Sequence, residues 1–199
     1  MLVRIGCVVE GHGEVESVPA LIRRIAQQLD PGLEVLIPHP VRVTKSKLLR
    51  PGELERAAGL AALNVGGNGG LLVVLDSDDD CPAHLGPKLL ERVRTARADL
   101  PSAVVLAKRE FESWFLASAE SLRGYRGLPV DLQSPEQPEE IPGAKEWLSS
   151  HLPSGAYAPT VDQASLTYAL DLTLARCAAS FDKCYREITL LLETLRSRG

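Results

Sequence analysis

Leu71-Leu72-Val73-Val74-Leu75-Asp76-Ser77-Asp78-Asp79-Asp80 decides the reading of this chain. The apolar run is too short for a helix and fits a strand buried on both faces, with an acid at its end. A second stretch repeats the arrangement: Leu2 to Val9 is short and mostly apolar, and Glu10-Gly11-His12-Gly13-Glu14 follows it. Parallel strands present their carboxyl ends at one edge of a sheet, and ligands of open α/β sheets bind there. Glu10 and Asp76 are therefore expected at a common edge. Carboxylates crowded at one edge repel each other unless a cation lies between them. A hard divalent ion with oxygen ligands, Mg2+ or Mn2+, meets that need.

Outward from these two stretches, strand and helix patterns alternate through residue 118. Leu33 to Ile37 and Ala103 to Ala107 read as further strands. Val18, Leu21, Ile22, Ile25 and Leu29 recur at helical spacing, as do Leu85, Leu89, Val93, Ala96 and Leu100. Pro51-Gly52-Glu53 opens an Ala- and Leu-rich helix, and Phe111, Trp114 and Phe115 begin another. This order predicts an α/β fold with a mostly parallel central sheet and helices on both faces. Residues 119–160 interrupt the rhythm. They hold six of the fourteen prolines, which predicts a long loop with one short helix near Ala144 to Ser150. A helix is expected over Asp162 to Ala178, and Phe181, Cys184, Tyr185, Ile188, Leu191, Leu192 and Leu195 mark a last one. The organisation expected is a single domain: a core over 1–118, the Pro-rich region, and a helical pair over 161–199.

Composition narrows the function classes. A chain of 199 residues, 45% apolar and 24% charged, is long enough to bury a core and is not disordered in type. No apolar run approaches the roughly 20 residues of a membrane span. Arg4 and Glu10 interrupt any secretory signal, and four irregularly spaced cysteines make no disulfide framework, so a reduced, cytoplasmic protein is expected. The net charge of −4 argues against a general nucleic-acid coat. It leaves room for a local basic patch, and Arg42, Lys45, Lys47 and Arg50 cluster beside the second strand. That cluster fits either a solvated loop or a surface that positions a phosphate backbone.

Alternate residues of a strand share a face, so Asp76 and Asp78 are expected to point together and grip a cation. Asp79 and Asp80 fit a simpler role at the start of the following helix, where negative charge is favoured. Glu10 ends a buried strand beside two glycines. The loop lacks the lysine and spacing of a phosphate-binding P-loop, so it suits a metal or a proton. Glu14 fits the same shell or a plain helix-dipole role. Glu110 and Glu112 follow the fourth strand to the same edge. Two apart on a helix, they would not share a face, so one of them joins the acids. His12 is a weak candidate for proton transfer. Cys81 and His84 supply half a zinc site only. Cys177 and Cys184 fit an apolar core.

At these residues the chain resembles the TOPRIM domain, the metal-dependent module of topoisomerases, primases and OLD-family nucleases. That family's strands end in Glu-Gly and, later, in Asp-x-Asp; here these are Glu10-Gly11 and Asp76-Ser77-Asp78. Glu14 resembles the second acid of the OLD-like branch. The likeness is closer still to a bacterial family of TOPRIM-related domains of unknown function. It runs through Val9-Glu10-Gly11-His12-Gly13-Glu14, Glu110-Phe111-Glu112-Ser113-Trp114-Phe115-Leu116-Ala117, and Thr160-Val161-Asp162-Gln163 to Ser180-Phe181-Asp182-Lys183, nearly the whole chain. Ser118 departs from the pattern, where relatives often carry Asp.

The expected function is Mg2+- or Mn2+-dependent processing of phosphodiesters, of the nuclease kind. Glu10 would be catalytic, and Glu10, Glu14, Asp76, Asp78 and Glu112 would hold metal. Arg42, Lys45 and Lys47 would contact DNA or RNA. The OLD-like resemblance implies a co-encoded ATPase as partner. Two rivals stand beside this reading. One is a non-catalytic interaction module of TOPRIM shape. The other is a phosphotransfer domain, either receiver-like, with Lys108 as its late lysine, or of the haloacid dehalogenase kind.

Overall fold

A computed structural model describes residues 1–198. Strand β1 (Leu2–Val9) leads to helix α1 (Glu14–Leu29), then β2 (Glu34–Leu36) and β3 (Val41–Arg42). Helices α2 (Lys45–Leu48) and α3 (Glu53–Val65) precede β4 (Gly70–Asp76), and α4 (Pro82–Ala96) precedes β5 (Ser102–Ala107). Short helices α5 (Ser113–Leu116), α6 (Ala144–His151) and α7 (Ala164–Ala169) follow, and α8 (Ala179–Arg196) closes the described chain. The sheet runs β2-β1-β4-β5, with β3 also pairing β1, and its ladders are parallel. The expected α/β architecture is present, with helices around a mostly parallel sheet and helices at the C-terminal end.

The strands are apolar throughout because both of their faces are covered. Val3, Ile5, Cys7 and Val9 of β1, Leu72 and Val74 of β4, and Ala103 and Val105 of β5 face one layer, with α1, α5 and α8. Val8, Leu71, Val73, Leu75, Val104 and Leu106 face the other, with α2, α3 and α4. Each strand thus splits its residues by parity between two cores. No helix of the described residues is long and apolar enough to cross a membrane. All four cysteines are free; Cys184 is buried as expected, whereas Cys177 is exposed and donates its thiol proton to the Ala117 carbonyl.

Three local expectations are corrected. The helix expected over Asp162 to Ala178 is broken. A π-helical turn over Pro159–Gln163 enters α7, which ends at Ala169, and a 3-10 turn over Leu174–Cys177 follows. The break lies at Asp171, whose carboxylate takes the backbone N–H groups of Thr173 and Leu174 and starts a new turn there. Asp80 caps nothing: α4 begins at Cys81-Pro82 without a side-chain cap. Glu110 and Glu112 precede α5 in a turn and are not spaced by a helix. The short helix expected in the Pro-rich region is α6.

The C-terminal helix is anchored by one hydroxyl. Ser180 Oγ accepts the Trp114 indole N–H at 2.8 Å and the Lys108 backbone N–H at 3.1 Å. Trp114 is fully buried and meets Phe181 edge-on, with ring centroids 5.3 Å apart. Removing the hydroxyl strands two donors at once. Ser180→Ala is expected to cost about 2 kcal/mol, since each unsatisfied buried donor costs roughly 1–3 kcal/mol. Urea unfolding measures this, and a loss below about 0.5 kcal/mol would contradict the anchoring role.

A candidate metal centre at the carboxyl edge of the sheet

Strands β1 and β4 pair from Ile5 with Gly70 to Val9 with Val74, so Glu10 and Asp76 leave the sheet at the same edge. They leave on different faces. Asp76 follows Leu72 and Val74 toward α1 and α8, and Glu10 follows Val8 toward α2 and α3. The edge therefore carries two acidic groups, one per face.

The first group is Glu14, Asp76 and Glu112. Asp76 Oδ1 accepts the Phe111 N–H at 2.7 Å, and its side chain is only 14% exposed. Glu112 is wholly buried. Its Oε1 accepts the Tyr157 hydroxyl at 3.0 Å and lies 3.4 Å from Gln163 Nε2, while its Oε2 has no hydrogen bond. Gln163 Nε2 also lies 3.5 Å from Glu14 Oε1, so one amide spans two carboxylates. Two glycines make the room. A side chain on Gly11 would strike the Glu14 carboxylate, which folds back onto the Gly11 N–H, and one on Gly13 would overlap the Gln163 amide. Among the described residues, one cation reaches this group. Lys145 Nζ lies 3.3 Å from Glu112 Oε2, 3.7 Å from Glu110 Oε2 and 3.9 Å from Asp76 Oδ2. The closest of these approaches is an ion pair and not a hydrogen bond, so Glu112 Oε2 is left without a donor.

The second group is Glu10, Asp78 and Asp80. Glu10 Oε1 accepts the Lys45 backbone N–H at 3.2 Å, and Oε2 is unpartnered. Lys45 is buried, and its ammonium lies 2.9 Å from both Asp78 Oδ2 and Asp80 Oδ2. Asp80 therefore pairs with a lysine in place of the expected helix cap. Strand alternation ends at Asp76. Asp78 (φ 49°) and Arg109 (φ 61°) face each other in a lone antiparallel bridge, a left-handed conformation that non-glycine residues rarely take. Asp76 and Asp78 consequently serve different lysines, and the expectation that they point together fails at that turn.

Electrostatics mark both groups as short of positive charge. Burial, then the neighbouring Glu112 and Glu14, holds the Asp76 carboxyl well above its ordinary range. Burial also raises Glu112, against the pull of Lys145. Burial raises Glu10, with Asp78 and Glu14 adding to the shift, so the two groups feel each other. Burial pulls Lys45 down, but its hydrogen bonds to Asp80 and Asp78 outweigh that and leave it raised.

Of the residues expected to touch nucleic acid, Arg42 and Lys47 are exposed. Arg42 Nη1 lies 3.5 Å from the Glu10 carbonyl, and Lys47 lies 3.9 Å from Glu53. Lys45 is not on that surface; Asp78 and Asp80 draw it inward. His12 and Asp79 are exposed. Lys108 pairs with Glu140. Sequence reasoning missed Lys145, Tyr157 and Gln163, all in or just beyond the Pro-rich region where no periodicity assigns a side-chain direction. Only Gln163 carried a signal, as the end of the Thr160–Gln163 block.

Among the described residues, no three His, Cys, Asp or Glu side chains stand close enough together to hold a metal ion. In the first group Lys145 stands among the carboxylates, and in the second Lys45 does. The donor chemistry nonetheless fits a hard cation: the oxygens available are carboxylates, and Glu10 Oε2 and Glu112 Oε2 are buried without a hydrogen bond.

The match to known families is a domain of unknown function, DUF4276, over residues 9–188, and the chain belongs to that family. No curated protein and no solved structure matches it.

A raised carboxyl pKa means that the native state binds protons the unfolded chain has released, so stability falls as pH rises through that value. Without metal, the melting temperature is expected to fall as pH rises above the ordinary carboxyl range near ~4, through the raised values of Asp76, Glu112 and Glu10. Asp76→Asn keeps an oxygen for the Phe111 N–H but removes the charge. It is expected to melt about 2–4 °C higher than wild type near pH 8, with the difference shrinking toward pH 5. Melts in a chelating buffer measure this, and a variant less stable than wild type at pH 8 would contradict the reading.

Proposed function

We propose that this protein is a TOPRIM-like, divalent-metal-dependent enzyme that hydrolyses phosphodiesters, in the manner of a nuclease. The observation that carries the reading is the gathering of Glu10, Glu14, Asp76, Asp78 and Glu112 at the carboxyl edge of a parallel sheet. Three of their carboxyls are held above the ordinary range by burial, and two lysines lie among them. Asp76, Glu112 and Glu14 would hold the metal, with Asp78 on the neighbouring face. When bound, Mg2+ or Mn2+ supplies charge stabilisation at the phosphoryl oxygens.

Glu10 is the proton-transfer group. Its carboxyl is raised by burial, the direction that makes a carboxylate a better proton acceptor. It takes the proton of the attacking water as the new phosphorus–oxygen bond forms, and the leaving alkoxide departs from phosphorus. Arg42 and Lys47 lie on the exposed side of the same edge and suit contacts to the phosphate backbone of DNA or RNA.

A second reading is an interaction module without catalysis. What favours it is that Lys45 and Lys145 already sit among the carboxylates.

Cleavage assays on single- and double-stranded DNA and RNA with Mg2+ or Mn2+ separate the two. The enzyme reading expects cleavage that Glu10→Gln lowers at least ~100-fold with binding retained, the usual scale for general-base loss. Replacing Arg42 and Lys47 by Ala should weaken binding and flatten its salt dependence. Absence of cleavage on every substrate, with metal and any co-encoded ATPase present, favours the interaction module.

A further inference from the structure

Lys145 is placed as an ion would be. Its ammonium lies within 4 Å of Asp76, Glu110 and Glu112, contributed by the end of β4 and the turn beyond β5. None of the three distances is that of a tight hydrogen-bonded pair, which for a charged donor and acceptor is about 2.7–2.9 Å. The ammonium is shared, as a small cation among several ligands is shared. The deepest ligand, Glu112, is fully buried, and its Oε2 faces this ammonium with no hydrogen bond of its own. That oxygen is an acceptor the lysine neutralises without satisfying.

The lysine is also placed to leave. Its side chain is 37% exposed, whereas the Lys45 side chain in the neighbouring group is 7% exposed and locked by two short contacts. Helix α6 is held independently of the ammonium. Leu148 and Ala144 are buried in the core, and the Lys145 backbone N–H donates to Glu110 Oε2 at 3.2 Å. The side chain can therefore swing outward while its helix stays docked.

We propose that the Lys145 ammonium and a divalent cation compete for Asp76 and Glu112, so that Lys145 sets the metal affinity and is released to solvent when metal enters. The proposal rests on the metal-dependent reading above. One ammonium leaves and one divalent ion enters, which raises the positive charge facing Glu14, Asp76 and Glu112. Lys145 is in this sense a resident stand-in that keeps buried carboxylates neutralised in the metal-free protein.

Two measurements on the full chain test it. Free Mn2+ is counted by electron paramagnetic resonance during titration of wild type and Lys145→Gln, with Lys145→Met as a second neutral variant should the first fail to fold. Removing the competitor is expected to tighten Mn2+ binding about tenfold, within the usual range of coupling between two binding events. In the wild type, an amine-reactive reagent followed by mass spectrometry reads the labelling rate of each lysine with and without Mn2+. Lys145 is expected to label several-fold faster with the ion, while exposed Lys88 stays unchanged. Equal affinity in wild type and variant, or a Lys145 labelling rate indifferent to Mn2+, would overturn the competition and leave the metal reading standing. No Mn2+ binding by either protein at millimolar concentration would overturn both.

Discussion

Repulsion among buried carboxylates is the constraint around which this structure is arranged. Parallel strands deliver their last residues to one edge, and here β1 and β4 deliver acids. An isolated buried carboxylate is costly, so each must find a donor, a proton or a cation. Asp76 takes the Phe111 N–H, Glu14 takes the Gly11 N–H, and Glu112 takes Tyr157 and Gln163. Lys45 and Lys145 supply positive charge, one on each face of the sheet. The Pro-rich region and α7 are held in place partly by what they bring to this edge. A fold built only for stability would replace such a cluster with apolar side chains.

The division into two faces has a chemical consequence. Glu10 belongs with Lys45, Asp78 and Asp80, while Asp76 belongs with Glu14, Glu112 and Lys145. The groups remain electrically coupled, since both Asp78 and Glu14 raise the Glu10 carboxyl. Under the proposed function, Glu10 would transfer protons on one face while Glu14, Asp76 and Glu112 would hold the cation on the other, giving the two tasks separate environments.

Much of the fold was legible because burial on two faces leaves an unmistakable mark. Leu71 to Leu75 and Ala103 to Ala107 are apolar at every position, the pattern of a strand covered on both faces. The edge acids were legible for the same reason, since each follows directly on such a run. What escaped depends on chain reversal. Asp78 was read as continuing a strand, but a left-handed turn opposite Arg109 reorients it. Lys45 was read as solvent-facing because α2 is only one turn long and leaves no periodic trace of which side is buried. Lys145 reaches the site from the short helix α6 and Gln163 from a π-helical turn, elements too short for their spacing to assign a direction to a polar side chain. The break at Asp171 was hidden because an Asp that starts a new turn looks, in sequence, like any polar helix residue.

The account stands on the claim that this acidic edge holds a divalent cation. Anomalous X-ray diffraction from crystals grown with Mn2+ tests it most directly. The account predicts an anomalous peak within bonding distance of Asp76 and Glu112 carboxylate oxygens, about 2.0–2.4 Å for a hard divalent ion, with the Lys145 ammonium displaced from between them. Absence of a peak at the edge, with Lys145 still among Asp76, Glu110 and Glu112 at saturating Mn2+, would contradict it.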